Sequence, residues 1–142
     1  MTTRTATARY EGLGKAGKGT VSTQSGVLSA QPYGFNTRFE DEPGTNPEEL
    51  VAAAHASCFT MALAFALSRE GLEEGTLETT AKVKLEQDGE GFTITRSDLV
   101  LKANVPGIEE AKFQEIAKGA KENCPLSKLM KAEITLEATL EG

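Results

Sequence analysis

Apolar and polar residues alternate in the first of two neighbouring strand-like segments of the chain, and together the segments predict a β-hairpin. The segments are TLETTAKVKLEQ at 76–87 and FTITRSDLVLKANV at 92–105, joined by DGEG. A period of two is typical of a strand with one buried face, so we expect an antiparallel hairpin whose other face meets water. The segment AEITLEATL at 132–140 alternates in the same way and predicts a further strand.

A long apolar stretch in the middle of the chain predicts a helix that continues to about Ser68. Asn46 is a good N-cap, Pro47 suits the first helical position, and Glu49 can complete a capping box with Asn46. Gly71 supplies a C-terminal stop. A helix that is apolar on all sides is expected to be buried on all sides. One face carries apolar residues at helical spacing and the opposite face carries alanines: Leu50, Val51, Ala54, Cys58, Met61, Ala62 and Phe65, against Ala52, Ala53, Ala56 and Ala64.

A second helix, amphipathic in pattern, is predicted for IEEAKFQEIAKGAKEN at 108–123. Its inward stripe of Phe113, Ala117 and Ala120 extends by the same spacing to Cys124. A short helix is expected to begin there, with a proline at its first position. The order of strands and helices predicts an α+β fold, and residues 1–142 are expected to form one domain.

The first third of the chain is rich in β-branched residues and glycine, which predicts twisted hairpins. Within it, GLGKAGKGT at 12–20 resembles a phosphate-binding loop, but Gly19 replaces the metal-binding Ser or Thr. A strand-like segment follows where that loop would need a helix, so a hairpin turn is the better interpretation. Residues 31–45 are expected to form a loop that carries Arg38.

Composition excludes several classes of function. A net charge of -6 without a cluster of Lys and Arg argues against nucleic-acid binding. The run FTMALAFAL at 59–67 is far shorter than the roughly 20 residues of a membrane crossing. The segment MTTRTATARYEG lacks the apolar part of a signal peptide, so we expect a soluble protein of the cytoplasm.

The two cysteines, Cys58 and Cys124, are the candidate reactive groups. Cys124 stands at a helix start, where unpaired backbone N–H groups favour a thiolate, and its stripe directs it toward the core where Cys58 is expected. Two thiols that can approach each other indicate reversible disulfide chemistry, since a permanent disulfide is uncommon in a reducing cytoplasm.

A nucleophilic Cys58 needs its pKa lowered by about two units, or roughly 3 kcal/mol. A unit charge at 4 Å supplies about 4 kcal/mol at an effective dielectric near 20. Arg38 is the natural candidate for that charge, and Glu48 in the first turn of the apolar helix could hold its guanidinium bidentately.

His55, the one histidine of the chain, precedes Cys58 by three residues and suggests a cysteine hydrolase dyad as an alternative. Because no third group that orients the imidazole is evident, we expect a packed, hydrogen-bonded histidine instead. A metal site of His55, Cys58 and Cys124 is a further alternative, but it lacks the paired spacing of zinc sites. A non-catalytic module that binds apolar ligands or senses redox state also remains open.

Three segments resemble the OsmC/Ohr family of thiol peroxidases, the osmotically inducible and organic hydroperoxide resistance proteins. They are GKGTVSTQSGVLSAQPYGFNTRFE, GTNPEELVAAAHASCF and KENCPLSKLMKAEITL. The resemblance implies a fold of two antiparallel β-sheets with central buried helices, in an intertwined homodimer with active sites at the subunit interface. It also implies peroxidatic Cys58, resolving Cys124, and activation of Cys58 by Arg38 and Glu48.

The implied reaction reduces organic hydroperoxides, and hydrogen peroxide less efficiently, without a metal or nucleotide cofactor. The resemblance implies that the Cys58–Cys124 disulfide is then reduced by an external dithiol, of the lipoyl type and carried on a lipoylated protein. An apolar pocket would favour organic peroxides, because each buried methylene contributes about 0.8 kcal/mol. Phe35, Met61 and Leu126 are expected to line it.

Overall fold

The structure, a computed structural model, describes residues 2–142 and contains two compact units. One unit ends at Leu50 and the other comprises Val51–Gly142. Each unit has its own three-stranded sheet, and helices complete the fold. The predicted α+β class is therefore confirmed.

The first unit contains an antiparallel sheet of β1 (Ala6–Glu11), β2 (Lys18–Thr23) and β3 (Gln31–Tyr33). A short 3₁₀ turn, Gly14–Ala16, joins β1 to β2, so the segment that resembles a phosphate-binding loop is the predicted hairpin turn. Gly19 lies buried in β2, and a Cβ atom there would come within 2.6 Å of the Tyr33 ring. Close aromatic packing thus explains a glycine where a phosphate-binding loop has Ser or Thr.

The segment between β2 and the apolar helix is more regular than the loop predicted for residues 31–45. It contains β3 and a short helix, α1 (Phe35–Phe39). The Gly34 N–H donates to the Thr37 hydroxyl at 2.7 Å, and the rings of Phe35 and Phe39 lie 5.1 Å apart. A side-chain cap and an i,i+4 aromatic pair stabilise this single helical turn. The turn is too short to produce a periodic pattern in the sequence, so the pattern did not predict it.

The apolar helix, α2 (Pro47–Arg69), begins with the predicted cap, since the Glu49 N–H donates to Asn46 Oδ1 at 2.8 Å. The Glu49 carboxylate accepts the Thr45 hydroxyl at 2.8 Å, so its partner is one residue earlier than the capping box predicted. At the other end Gly71 has a φ of +86°, a conformation that favours glycine and stops the helix.

Burial of α2 is one-sided, and the prediction of a helix buried on every side is wrong for the single chain. Met61 and Phe65 are 61% and 62% exposed, because the described core covers only the opposite face. With 23 residues and a mean hydropathy of 1.9 in its most apolar window, α2 is long and apolar enough to cross a membrane, as are many core helices of soluble proteins. The buried residues are His55, Phe59, Leu63 and Leu67.

The second unit contains β4 (Thr76–Asp88), β5 (Gly91–Asn104) and β6 (Glu133–Leu140), in that order across the sheet. β4 and β5 form the predicted antiparallel hairpin through a turn at Gly89 and Glu90. β6, however, is parallel to β5, so this sheet is mixed and the expectation of two antiparallel sheets is wrong here.

The parallel pairing follows from the connection between β5 and β6. In the sequence, β5 is followed by α3 (Glu110–Asn123) and α4 (Pro125–Leu129) before β6 begins. These helices return the chain to the end of the sheet where β5 began, so β6 runs parallel to β5. The predicted inward stripe of α3 is confirmed, because Phe113, Ala117 and Ala120 are buried in one apolar cluster with Leu99 and Leu101 of β5.

Candidate active site

The thiols of Cys58 and Cys124 meet inside the second unit. Cys58 lies on α2, and Cys124 is the residue between α3 and α4. The Cys124 thiol and the backbone N–H of Leu126 both lie close enough to the Cys58 sulfur to shift its pKa. Cys124 is completely buried, Cys58 is partly exposed, and both are free thiols. The approach that the helical spacing predicted is therefore present.

The surroundings of Cys58 within this unit raise its pKa. Burial is the largest cause, and the neighbouring Cys124 thiol acts in the same direction. The Leu126 N–H opposes both, because it stabilises the thiolate. The expectation of a lowered Cys58 pKa is thus not met by this unit alone. We expected the backbone N–H groups at the start of α4 to stabilise a Cys124 thiolate, but the Leu126 N–H acts on the Cys58 sulfur instead.

Arg38 and Glu48 form the predicted bidentate ion pair in the first unit. Arg38 Nε donates to Glu48 Oε1 at 2.9 Å, and Nη2 donates to Oε2 at 3.0 Å. The Arg38 side chain is 34% exposed and that of Glu48 12%. Because two parallel hydrogen bonds fix the guanidinium plane, its charge has a defined position. The structure therefore brings the four predicted residues together as two pairs, one in each unit.

Aromatic side chains surround Arg38. A cavity of about 290 Å³ is lined by Tyr10, Tyr33, Phe35, Phe39, Lys15 and Arg38. The Lys15 ammonium lies 4.6 Å from the Phe35 ring centre, and the Arg38 guanidinium carbon lies 5.3 Å from that of Phe39. Phe35 lines this cavity together with Arg38, and Met61 is an exposed residue of α2; their role as walls of a peroxide pocket stays a prediction. The aromatic density of QPYGFNTRF was the signal in the sequence for this cavity.

His55 is the packed, hydrogen-bonded histidine that the sequence favoured. It is fully buried, with Nδ1 2.7 Å from the Ser97 hydroxyl and Nε2 2.9 Å from the Ser127 hydroxyl. Both ring nitrogens therefore have partners other than Cys58, which argues against the hydrolase dyad. Among residues 2–142, no group of three or more His, Cys, Asp or Glu side chains is placed to hold a metal ion.

Ser97 and Ser127 are site residues that the sequence did not reveal. Ser97 interrupts the apolar side of β5, and Ser127 is buried in the short helix α4. Their spacing from His55, 42 and 72 residues, carries no motif. A buried polar residue on an otherwise apolar strand face was the available signal, since such a group requires a partner.

Comparisons with known proteins show which family this chain is similar to. The chain matches the OsmC-like protein family over residues 39–139. It is 54% identical over 135 residues to the peroxiredoxin OsmC of Escherichia coli strain K12, which covers 95% of this chain and 94% of the relative. It is 30% identical over 129 residues to the organic hydroperoxide resistance protein OhrB of Bacillus subtilis strain 168, covering 90% of this chain and 91% of the relative.

Solved structures extend the likeness to the whole chain. The crystal structure of an organic hydroperoxide resistance protein from Elizabethkingia anophelis matches with a TM-score of 0.75 and 28% identity, over 100% of this chain and 97% of that one. The two free thiols place this chain among the dithiol proteins. The match to the family model and the 54% identity to a member of the family show that the chain belongs to the OsmC-like family.

The buried state of His55 predicts a pH dependence of stability. Burial lowers the pKa of folded His55 below 6.5, so the unfolded chain binds more protons as the pH falls. The free energy of unfolding should therefore be fully retained above the ordinary histidine pKa and should decrease as the pH falls from about 7 to about 5. Urea denaturation at a series of pH values measures it.

The matched variant for this measurement is His55→Gln, which has no titrating group at the position. Carboxylates such as Asp98, whose pKa is lowered by Arg96, destabilise both proteins equally in acid. The difference in unfolding free energy between wild type and His55→Gln should therefore shrink at lower pH. A difference that stays constant across this range would contradict a neutral, buried His55.

Proposed function

We propose that this protein reduces organic hydroperoxides to alcohols through a Cys58 sulfenic acid and a Cys58–Cys124 disulfide. It is a thiol-dependent peroxidase of oxidative stress defence, and its redox chemistry is that of cysteine without a cofactor. The observation that carries the proposal is the proximity of the Cys58 and Cys124 thiols, in a chain 54% identical to a peroxiredoxin.

In the first step, the Cys58 thiolate attacks the terminal oxygen of the hydroperoxide. An S–O bond forms, the O–O bond breaks, and the alkoxide takes up a proton and leaves as the alcohol. Cys58 is then a sulfenic acid. The more exposed of the two thiols is the one that peroxide can reach, which favours Cys58 over the completely buried Cys124 as the attacking residue.

In the second step, the Cys124 sulfur attacks the Cys58 sulfur of the sulfenic acid. The S–S bond forms, the S–O bond breaks, and the hydroxyl group leaves as water with the Cys124 proton. The disulfide is reduced by an external dithiol, which we propose to be of the lipoyl type, free or on a lipoylated protein. A protein that cycles in this way requires a reducing compartment, so we assign it to the cytoplasm.

Arg38 is proposed to supply a positive charge to Cys58, since no cationic group is among the causes that shift the Cys58 pKa. Burial raises the Cys58 pKa, so attack at neutral pH requires an opposing interaction. The Glu48 carboxylate fixes the guanidinium through Nε and Nη2, and Nη1 is the group that we propose to contact a sulfur or a peroxide oxygen. In the attack, Arg38 would stabilise the charge that develops on the peroxide oxygens.

We further propose that residues 1–142 function as one OsmC-like domain within a homodimer. The family match, 39–139, runs through both compact units, and α2 continues across their boundary. Met61 and Phe65 leave an apolar face of α2 exposed in the single chain, and a second copy would bury it.

The peroxidase reaction predicts a defined product. Wild-type protein treated with one equivalent of tert-butyl hydroperoxide should lose two hydrogens and yield a Cys58–Cys124 cross-linked peptide in mass spectrometry, because both thiols are consumed in one turnover. Cys58→Ser should consume no peroxide, and Cys124→Ser should stop after one turnover. Sustained turnover in Cys124→Ser would contradict the resolving role of Cys124. If the wild-type protein did not react with the peroxide, the non-catalytic module would become the better interpretation.

The role of Arg38 predicts a change in thiol pKa. In a Cys124→Ser background, where one thiol titrates, Arg38→Ala should raise the Cys58 pKa by about one unit or more, since a nearby positive charge favours the thiolate. Thiolate absorbance against pH measures it. Arg9→Ala, which removes another arginine paired to a carboxylate, is the control and should leave the Cys58 pKa unchanged. An equal pKa in Arg38→Ala would remove Arg38 from this role.

The homodimer predicts the effect of a charge on the exposed face of α2. Phe65→Glu should shift the protein from dimer to monomer in analytical ultracentrifugation, because a carboxylate cannot be buried there without a partner. Val27→Glu, which changes an apolar residue that is 83% exposed in the first unit, is the control and should stay dimeric. A monomeric wild type would contradict the proposal.

A further inference from the structure

A histidine that takes no part in the peroxide chemistry is hydrogen-bonded to the helix that follows the resolving cysteine. His55 Nε2 lies 2.9 Å from the Ser127 hydroxyl on α4, and Nδ1 lies 2.7 Å from the Ser97 hydroxyl on β5. We infer that His55 is a positioning residue: through Ser127 it holds α4 so that Cys124 and the Leu126 N–H remain at the Cys58 sulfur. The inference rests on the proposed two-thiol reaction.

The spacing of these residues makes the arrangement specific. His55 and Cys58 are three residues apart on α2, and Cys124 and Ser127 are three residues apart at the start of α4. His55 contacts Ser127, and Cys58 contacts Cys124. Residues three apart on a helix lie on one face. The imidazole–hydroxyl contact and the thiol–thiol contact are therefore neighbouring contacts between the same two helical segments.

The short helix α4 needs such a contact because it has little stability of its own. It has 5 residues, and an isolated helix of that length does not form in water. Its position depends on tertiary contacts. His55 is a rigid anchor for it, since its second nitrogen is bound to Ser97 on β5, a strand within the sheet.

Position matters most in the second chemical step. Disulfide formation brings the sulfurs to about 2.0 Å, with a Cβ–S–S–Cβ angle near 90°. A displaced α4 would move Cys124 and the Leu126 N–H together, because Cys124 is its N-cap and Leu126 lies in its first turn. The Cys58 sulfenic acid would then persist, and a second peroxide molecule would oxidise it to sulfinic acid.

A merely structural role for this hydrogen bond would have another signature. It would lower stability and leave the partition between disulfide and sulfinic acid unchanged. The chain offers a matched hydrogen bond for comparison: Thr60 on α2 donates to the Thr79 hydroxyl on β4 at 2.7 Å. That bond fixes α2 to the sheet and does not involve α4.

The test compares Ser127→Ala with Thr79→Val by single-turnover mass spectrometry, at one equivalent and then at excess tert-butyl hydroperoxide. Ser127→Ala should slow conversion of the sulfenic acid to the disulfide by about tenfold, with sulfinic acid accumulating at excess peroxide. The rate of sulfenic acid formation should change much less. Ser127→Thr, which keeps a hydroxyl, should restore disulfide formation, and Thr79→Val should match wild type.

Hydrogen exchange of the reduced proteins gives a second, independent measurement. Ser127→Ala should lose protection in the α4 amides 126–130, and Thr79→Val should not. An unchanged rate of disulfide formation in Ser127→Ala, or equal slowing by Thr79→Val, would overturn the inference while leaving the peroxidase intact. If the wild type itself formed no disulfide, the proposed function would fail instead.

Discussion

A buried sulfur holds its proton more tightly than one in water, and this constraint decides how the site must be built. Cys58 is placed beside a second thiol, where burial and that neighbour both raise its pKa. A dithiol peroxidase needs two thiols in proximity and one of them ionised, and these requirements conflict. Burial in the core brings the thiols together, but burial also disfavours the thiolate. One backbone N–H, from Leu126, works against this effect in the second unit. We propose that a fixed guanidinium supplies the rest, and the guanidinium of Arg38 is fixed by Glu48.

Helix α2 carries the elements of this compromise. Its first turn carries Glu48, and its buried face carries His55 and Phe59. Cys58 lies between His55 and Phe59 in the sequence. The polar His55 is tolerated in the core because both nitrogens are satisfied by serine hydroxyls. The same helix leaves Met61 and Phe65 uncovered in one copy. A single helix thus combines a capped end, a hydrogen-bonded core face and an exposed apolar face.

Several features could be predicted from local pattern. Alternation located β4, β5 and β6, and the Asn46 cap located the start of α2. The features that were missed lack a local signature. α1 is a single turn stabilised by the Thr37 cap and an aromatic pair, and β6 pairs in parallel because two helices precede it. A strand shows the same alternation in either direction, so its pattern does not fix its direction.

The sequence by itself determined which residues are chemically capable: two thiols, the Glu48 carboxylate at a helix start, Arg38 ahead of it, and helical spacing that turns both cysteines inward. These are properties of short segments, where periodicity and capping act. Only the tertiary structure decided which groups meet. It placed Ser97 and Ser127, 42 and 72 residues from His55, on its two nitrogens, and it directed the Leu126 N–H to Cys58. Contacts across such separations arise from packing of the whole unit, and no local pattern encodes them.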